Sequence, residues 1–288
     1  MYYPYFRGKQ YDLLAIKSLL EENRLSQKVC PIIEPIKDSR TFQSFLKINE
    51  KRKHPIYVID NPQTGQFLTE SGLLPYKNRL SHTAHIVDQS LDVIEEKSDL
   101  WIVQQASPVL VSDWKEVTQK VVVPFEFRLL EKIPGDKILS EDPFTRLPKT
   151  SFYQENSDEF FSDSQNTFRK RGFSGFSDFS IDSRTYYEKG YPSPILSLHL
   201  VYFKENTLRI HHFLSPEEAS SQSEKFFFLM EEISKWTDTL CGKEVTVGLS
   251  LLLKAFDNQH FPGMGIMRKA SVMHHLELMS RFLDQQTE

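Results

Sequence analysis

The sequence predicts an α/β barrel in which short parallel strands alternate with helices. The chain has 288 residues, which suits a single barrel domain. Short apolar runs alternate with segments of helical spacing, as expected for a parallel sheet with crossover helices. The first run is followed by Arg7-Gly8-Lys9, which lacks the glycine pattern of an open dinucleotide-binding sheet. About seven similar strand–helix units therefore favour a closed barrel over an open doubly wound sheet.

The strands of the first half are short apolar runs that end at a polar residue. They are predicted at residues 2–7, 29–34, 55–60, 84–88, 101–105, 121–127 and 137–142. Leu13, Ile16 and Leu20 show the helical spacing that separates the first two strands. Further helices are predicted around residues 38–46, 91–97 and 114–119. Continuous apolar runs are typical of strands that are buried on both faces.

The middle of the chain changes character. Residues 149–171 form a polar insertion, with one helix predicted over 157–168. Residues 172–182 alternate apolar and polar side chains, which predicts a strand. Residues 195–203 and 208–214 are two more strand-like runs, and Glu205-Asn206 lies at the tip between them. Residues 195–214 are therefore predicted to form a β-hairpin.

Residues 215–288 are predicted to be mainly helical. Ser215-Pro216 has the cap and proline of a helix start, and this helix is predicted to reach Thr239. Later elements are a helix over 247–256, a loop at 262–265 and a last helix over 270–283. The predicted fold is a single domain over 1–288, a TIM-like (β/α) barrel with a β-hairpin insertion and C-terminal helices.

Composition limits the class of protein. A net charge of −4 does not indicate nucleic-acid binding. Net charge does not exclude a local basic patch. No apolar window approaches the length of about 18 residues that a membrane span needs. The start of the chain lacks the pattern of a signal peptide. Cys30 and Cys241 cannot form a disulfide framework, so we expect a reduced, cytoplasmic protein. Because the sequence has no predicted membrane span, we expect no membrane partner.

Polar residues at the carboxyl ends of the strands are the candidates for chemistry, because these ends converge on the active-site face of a barrel. The predicted catalytic carboxylates are Glu34, Asp60, Glu126 and Asp178. The cofactor is unknown, but a divalent metal is possible, with Glu34, Asp60 and Glu126 as its ligands. The predicted ligand-binding residues of this face are Arg7, Lys9, Gln105 and Arg128. Arg and Lys would neutralise a phosphate or carboxylate.

Structural roles for these residues stay open. Aspartates end strands also because they suit turns and helix caps. Glu34 and Glu126 are harder to explain in that way, since glutamate is a poor cap and both stand beside a proline in an apolar run. A buried glutamate–arginine pair is the structural alternative for them. Asp178, flanked by Phe176 and Phe179, is the acidic residue of the 172–182 segment that best suits a catalytic role.

Three histidines lie on the two arms of the predicted hairpin. His199 and one of the adjacent pair His211 and His212 could face each other across it. With a carboxylate they would form a plausible metal set, although consecutive strand residues point to opposite faces. Packing or a surface location is the simpler interpretation. His199 and His211 are nevertheless predicted to bind ligand.

Several segments taken together resemble a known family. They are YYPYFRGKQYDLLAI, CPIIEPIK, IYVIDNP, GFSGFSDFSID, ILSLHLVYF with LRIHHFLS, and GMGI before HHLELM. In this order they resemble an uncharacterised bacterial hypothetical-protein family of the wider "beta protein" group, first named from a myxobacterial protein. The resemblance runs from Tyr2 to about Met279. It departs from the family pattern where residues 267–272 separate GMGI from the histidine pair.

The resemblance implies a barrel-like α/β fold and a bacterial or phage-related origin. It also implies a partner protein encoded by a neighbouring gene, for example a nuclease-like one, and a role in mobile-element or anti-phage biology. It implies no activity.

Two functions follow as hypotheses. The first is a protein that binds an anionic ligand, nucleotide or phosphodiester-like, at the C-terminal mouth of the barrel and possibly hydrolyses it. The alternative is a non-enzymatic partner or scaffold protein in a mobile-element or anti-phage module.

Overall fold

The computed structural model describes residues 1–69, 73–87, 98–104, 119–133, 135–185 and 193–286. These residues form two compact units. The first comprises Met1–Leu13, Gln27–Asp142 and Ser164–Phe179, and the second comprises Leu14–Ser26, Pro143–Asp163 and Ser180–Glu288. Asp88, Gln105 and the helices predicted over 91–97 and 114–119 lie largely or wholly outside the described residues.

In the described ranges, the strands of the parallel sheet have three to five residues, whereas the two hairpin strands have eight. The strands are β1 Tyr5–Arg7, β2 Ile32–Glu34, β3 Tyr57–Ile59, β4 His82–Ile86, β5 Leu100–Ile102, β6 Lys120–Pro124, β7 Lys137–Ser140, β8 Asp158–Ser162, β9 Gly175–Ser177, β10 Ser197–Lys204 and β11 Thr207–Leu214. The helices are α1 Gln10–Glu21, α2 Arg40–Arg52, α3 Phe127–Leu130, α4 Ser164–Thr167, α5 Gln222–Lys235, α6 Thr237–Cys241, α7 Val247–Asp257 and α8 Met264–Gln285. Short 3-10 helices lie at Leu74–Arg79 and Thr150–Gln154. No helix of the described ranges is long and apolar enough to cross a membrane.

The first unit contains an eight-stranded parallel sheet in the order β1-β2-β3-β4-β5-β6-β7-β9. Its first and last strands meet, because Tyr2 forms a parallel bridge with Phe176. Tyr3 N–H donates to Phe176 O at 2.8 Å, and Tyr5 N–H donates to Asp178 O at 2.7 Å. These bonds join the two edges of the sheet, as in a barrel. The predicted TIM-like (β/α) barrel is therefore confirmed.

The interior of the barrel is filled by alternate strand residues. They are Tyr3, Tyr5, Cys30, Ile32, Ile59, Ala84, Ile86, Leu100, Ile102, Val122, Ile138 and Phe179. Because side chains alternate along a strand, the residues directly before and after each of these point away from the interior. Cys30 is a buried thiol, and burial raises its pKa to about 12. It is therefore an unreactive core residue at neutral pH.

The second unit contains a three-stranded antiparallel sheet in the order β10-β11-β8. The predicted hairpin is confirmed, with Lys204 paired to Thr207 across a two-residue turn. Glu205 and Asn206 both have positive φ, 51° and 66°, which is the backbone of the tight turns that suit strand twist. The buried side chains of α5, α7 and α8 form a core with Leu198, Leu200 and Phe213 of the hairpin. The C-terminal helices are thus also confirmed.

The polar insertion differs from its prediction. A helix over 157–168 was wrong, because Asp158–Ser162 is β8 and pairs with β11. In this strand Phe160 is 55% exposed and Phe161 is 2% exposed, which is the alternation of a half-buried strand. Pairing with a strand distant in sequence overrides the local helical pattern. Within residues 157–168, all of which the structure describes, α-helix is found only at Ser164–Thr167.

Three other boundaries differ. The helix predicted from Ser215 begins at Gln222, because Ser215 Oγ accepts the N–H of Leu196 and so belongs to the hairpin. The cap is Ser221, which accepts from the N–H of Glu224 at 3.1 Å. The strand predicted over 172–182 is limited to Gly175–Ser177. The last helix begins at Met264, inside the predicted loop and six residues before the predicted start at Ala270.

Candidate functional site

Glu34 points into the mouth of the barrel and is almost fully surrounded by donors. It is 2% exposed. Its Oε2 accepts the hydroxyl of Tyr5 at 2.7 Å, and its Oε1 accepts the N–H of Gln63 at 2.8 Å. Arg7 Nε lies 3.9 Å from Oε2. Burial, followed by the nearby Glu34 carboxylate, raises the pKa of Tyr5 well above its ordinary value, so this tyrosine stays a donor. The contacts are those of a buried structural carboxylate that ties the Gln63 loop to the barrel.

Asp60 lies on the other face of its strand, because its neighbour Ile59 is part of the barrel interior. Its Oδ1 is 2.7 Å from Nδ1 of His85, and its Oδ2 accepts the hydroxyl of Ser98 at 3.0 Å. Asn61 Nδ2 approaches Nε2 of His85 at 3.0 Å. An amide nitrogen can only donate, so Nε2 accepts and the His85 proton lies on Nδ1, facing Asp60. Both ring nitrogens of His85 are thus occupied.

Asp178 also lies on the outer face, next to the interior residue Phe179. It is 6% exposed and accepts the hydroxyl of Tyr2 at 2.6 Å. Tyr2 is fully buried and stacks on Phe176 with ring centroids 4.9 Å apart. Burial and the adjacent carboxylate raise the pKa of Tyr2. This pair joins the first and last strands of the barrel at the point where the sheet closes.

The remaining predicted residues of the barrel are dispersed. Glu126 and Arg128 are exposed, and Glu126 precedes α3 without a side-chain cap bond. Lys9 is partly buried beside β1, and Gln105 lies outside the described residues. Glu34 faces the mouth, whereas Asp60 and Asp178 lie on the outer face, so these three carboxylates do not point into one space. Within the described ranges, no group of three or more His, Cys, Asp or Glu side chains could hold a metal ion.

The hairpin histidines form a pair, as the sequence suggested. His199 and His212 are directly opposed in the β10–β11 ladder, with their Nδ1 atoms 2.7 Å apart. His212 Nε2 lies 3.3 Å from Glu159 Oε1. Burial, followed by the neighbouring His212 and Arg268, lowers the pKa of His199 to about 3. Burial also lowers the pKa of His212, against the opposing effect of Glu159. Both rings are therefore neutral at pH 7.

His211 has different partners. Its Nδ1 lies 3.3 Å from Asp158 Oδ2, and its ring centroid lies 4.0 Å from that of Trp236. Asp158 also accepts from the Tyr202 hydroxyl at 2.7 Å and from Arg209 Nε at 2.6 Å. Burial favours the neutral form of Asp158, but these hydrogen bonds outweigh it and lower the pKa of the carboxyl. Asp158 is thus a fixed anion that orients the His211 ring.

Burial lowers the pKa of His211, while Asp158 opposes that shift. A neutral His211 that donates Nδ1–H to Asp158 has its lone pair on Nε2. No hydrogen bond to this Nε2 atom is formed by another described residue. The Nε2 atom of His211 can therefore accept a proton.

A cavity of about 400 Å³ lies beside β11 and α5, and we call it the hairpin pocket. His211 and His212 border it, together with Gln154, Ser157, Glu232, Lys235 and Trp236. The volume is in the range of small-molecule sites. The lining supplies an oriented imidazole and the Lys235 ammonium group, together with one carboxylate, that of Glu232. A small ligand that carries an anionic group can pair with Lys235 at the side of the pocket where this residue lies.

The sequence indicated His199 and His211 but not their partners. The sequence predicts a helix over Asp158 and Glu159, and Lys235 and Trp236 lie inside a segment with a continuous helical pattern. The sequence DEFFS has two acidic residues followed by two aromatic residues. This pattern is compatible with a strand and could have indicated that two carboxylates lie beside β11.

No family model, no curated protein and no solved structure matches this chain. The contacts of the described residues therefore have to carry any functional assignment.

Proposed function

We propose that the chain binds a small anionic ligand of the nucleotide or phosphodiester type in the hairpin pocket and hydrolyses its ester bond. The observation that carries this proposal is His211, which is oriented by Asp158 and borders the same pocket as Lys235. An imidazole held by a carboxylate is a common general base. An ammonium group supplies the charge that a phosphoryl group needs.

The reaction uses the tautomer that Asp158 selects. His211 Nε2 takes a proton from a water molecule while the water oxygen bonds to phosphorus. The ester P–O bond breaks, and the proton on Nε2 passes to the leaving oxygen, so the products are a phosphomonoester and an alcohol. Lys235 is exposed on α5 and attracts the non-bridging oxygens as a point charge. His211 is the catalytic residue in this scheme and Asp158 is a positioning residue.

The hairpin pocket, and not the barrel mouth, is the site of this proposal. Glu34 and Asp178 accept hydrogen bonds from Tyr5 and Tyr2, and Asp60 lies at hydrogen-bond distance from His85. Glu34 and Asp178 are also almost fully buried. An activated base needs a lone pair that a substrate or water can reach. His211 meets that requirement through the cavity that it borders.

Hydrolysis of bis(p-nitrophenyl) phosphate, followed by release of p-nitrophenolate, tests the proposal. We expect His211→Gln to lower kcat/KM by about 10²-fold or more, since general-base catalysis contributes on that order. Lys235→Met should raise KM with a smaller effect on kcat. The matched controls are His260→Gln and Lys254→Met, which change exposed side chains elsewhere in the second unit. Equal turnover by His211→Gln and wild type would contradict the proposal.

A further inference from the structure

A second cavity of about 570 Å³ lies in the second unit. Trp236 borders this cavity as well as the hairpin pocket, but His211, Asp158 and Lys235 do not line it. Its apolar lining comes from Tyr202, Phe203, Trp236, Leu240 and Leu278. The volume is in the range that holds a small organic molecule. Tyr202 and Trp236 form a T-shaped pair with centroids 5.8 Å apart, so rigid aromatic walls bound part of it. An apolar group of matching size would be stabilised by burial here.

Two opposite charges border the same cavity. Lys204 at the end of β10 and Asp238 in α6 both line it, and both side chains are exposed. They form no ion pair with each other, nor with any other residue in the part of the chain that the structure describes. A ligand that carried only a negative charge would be repelled by Asp238, and one with only a positive charge would be repelled by Lys204.

We propose that this cavity binds a free amino acid with an aromatic or large apolar side chain. Its carboxylate pairs with Lys204, its ammonium group pairs with Asp238, and its side chain packs against Trp236 and Leu278. A zwitterion pairs with both Lys204 and Asp238. A simple anion pairs with Lys204 but is repelled by Asp238, and a simple cation pairs with Asp238 but is repelled by Lys204. This binding site is separate from the hydrolytic reaction proposed above, and either proposal can fail without the other.

Isothermal titration with L-phenylalanine tests the site directly. Three related probes separate the contributions of its parts: 3-phenylpropanoate lacks the ammonium group, 2-phenylethylamine lacks the carboxylate, and glycine lacks the apolar group. We expect L-phenylalanine to bind at least tenfold more tightly than each of the three. Binding of all four within twofold of each other, or no binding of L-phenylalanine at millimolar concentration, would overturn the proposal.

Two charge-removing variants identify the partners of each group. Lys204→Met should weaken L-phenylalanine binding about tenfold and leave 2-phenylethylamine binding unchanged or improved. Asp238→Asn should weaken L-phenylalanine similarly and leave 3-phenylpropanoate unchanged or improved. Both residues are exposed, so the variants should fold, which the thermal unfolding midpoint checks. Lys254→Met is the matched control and should bind like wild type. A loss that is the same in the control, or absent from both charge variants, would overturn the assignment.

Discussion

His199 and His212 face each other across the β10–β11 ladder with their Nδ1 atoms 2.7 Å apart. A carboxylate can only accept, so Glu159 fixes the His212 proton on Nε2, and the neutral ring then accepts at Nδ1. His199 must donate its Nδ1–H to that atom. A proton added to His212 Nδ1 would displace this bond, and burial is the larger reason why both rings resist protonation in the folded protein.

The pair predicts a loss of stability in acid. The pKa of His199 falls from 6.5 in the unfolded chain to about 3 in the folded protein. The unfolded chain therefore binds more protons between these values, and stability falls as pH decreases through that window. Each such histidine contributes a slope of about 1.4 kcal/mol per pH unit. Buried His274 and His275, whose pKa values are lowered by burial to about 4 and about 3, act in the same direction.

Denaturant unfolding from pH 6.5 down to pH 4 measures this slope. His199→Leu should reduce it by about 1.4 kcal/mol per pH unit, because one titrating group is removed. Ser234→Ala changes an exposed residue that carries no titratable group and should leave the slope unchanged. Identical slopes in His199→Leu and wild type would show that His199 is protonated normally in the folded protein.

Asp178 is predicted to be structural. Tyr2→Phe removes the hydroxyl that donates to this buried carboxylate and should lower the free energy of unfolding by about 1–3 kcal/mol. Asp178→Asn should destabilise similarly and leave turnover in the hairpin pocket intact once folded. Tyr11→Phe is the control, since its hydroxyl bonds to no other residue of the described ranges. A stable Asp178→Asn variant without turnover would instead favour a catalytic role for Asp178.

Closure of the barrel predicts that Gly175 tolerates no side chain. A Cβ atom at this position would lie 2.8 Å from Cε2 of Tyr3 and 3.1 Å from the carbonyl oxygen of Met1. Gly175→Ala should therefore lower the free energy of unfolding by about 1–3 kcal/mol, as overpacking does in other cores. Ser174→Ala, at the exposed neighbouring position, should cost less than 1 kcal/mol, roughly one surface hydrogen bond. Equal stability of the two variants would contradict the closed arrangement of β1 and β9.

The barrel strands and the hairpin could be predicted from the sequence because each depends on local pattern. Short apolar runs marked β1 to β7, and the Glu205-Asn206 turn set the register that opposes His199 to His212. The position of β8 could not be predicted in this way, since its pairing with β11 joins residues about fifty positions apart. Without β8, neither Asp158 nor Glu159 could be assigned to its histidine.

The barrel mouth shows a second limit of prediction from sequence. The sequence places Glu34, Asp60 and Asp178 at the ends of strands, but the side-chain direction depends on each strand's phase. A shift of one residue moves a side chain to the other face. Glu34 therefore lies inside the mouth, whereas Asp60 and Asp178 bond to His85 and Tyr2 on the outer face.

The pH dependence of bis(p-nitrophenyl) phosphate hydrolysis tests the role of His211 most directly. Asp158 raises the pKa of His211 against the larger effect of burial, which leaves that pKa below 6.5. We predict that kcat/KM rises with pH, with a midpoint below 6.5, and that Asp158→Asn moves this midpoint to lower pH and reduces the plateau. An unchanged midpoint in Asp158→Asn, or a rate in His211→Gln with the wild-type pH profile, would contradict His211 as the base.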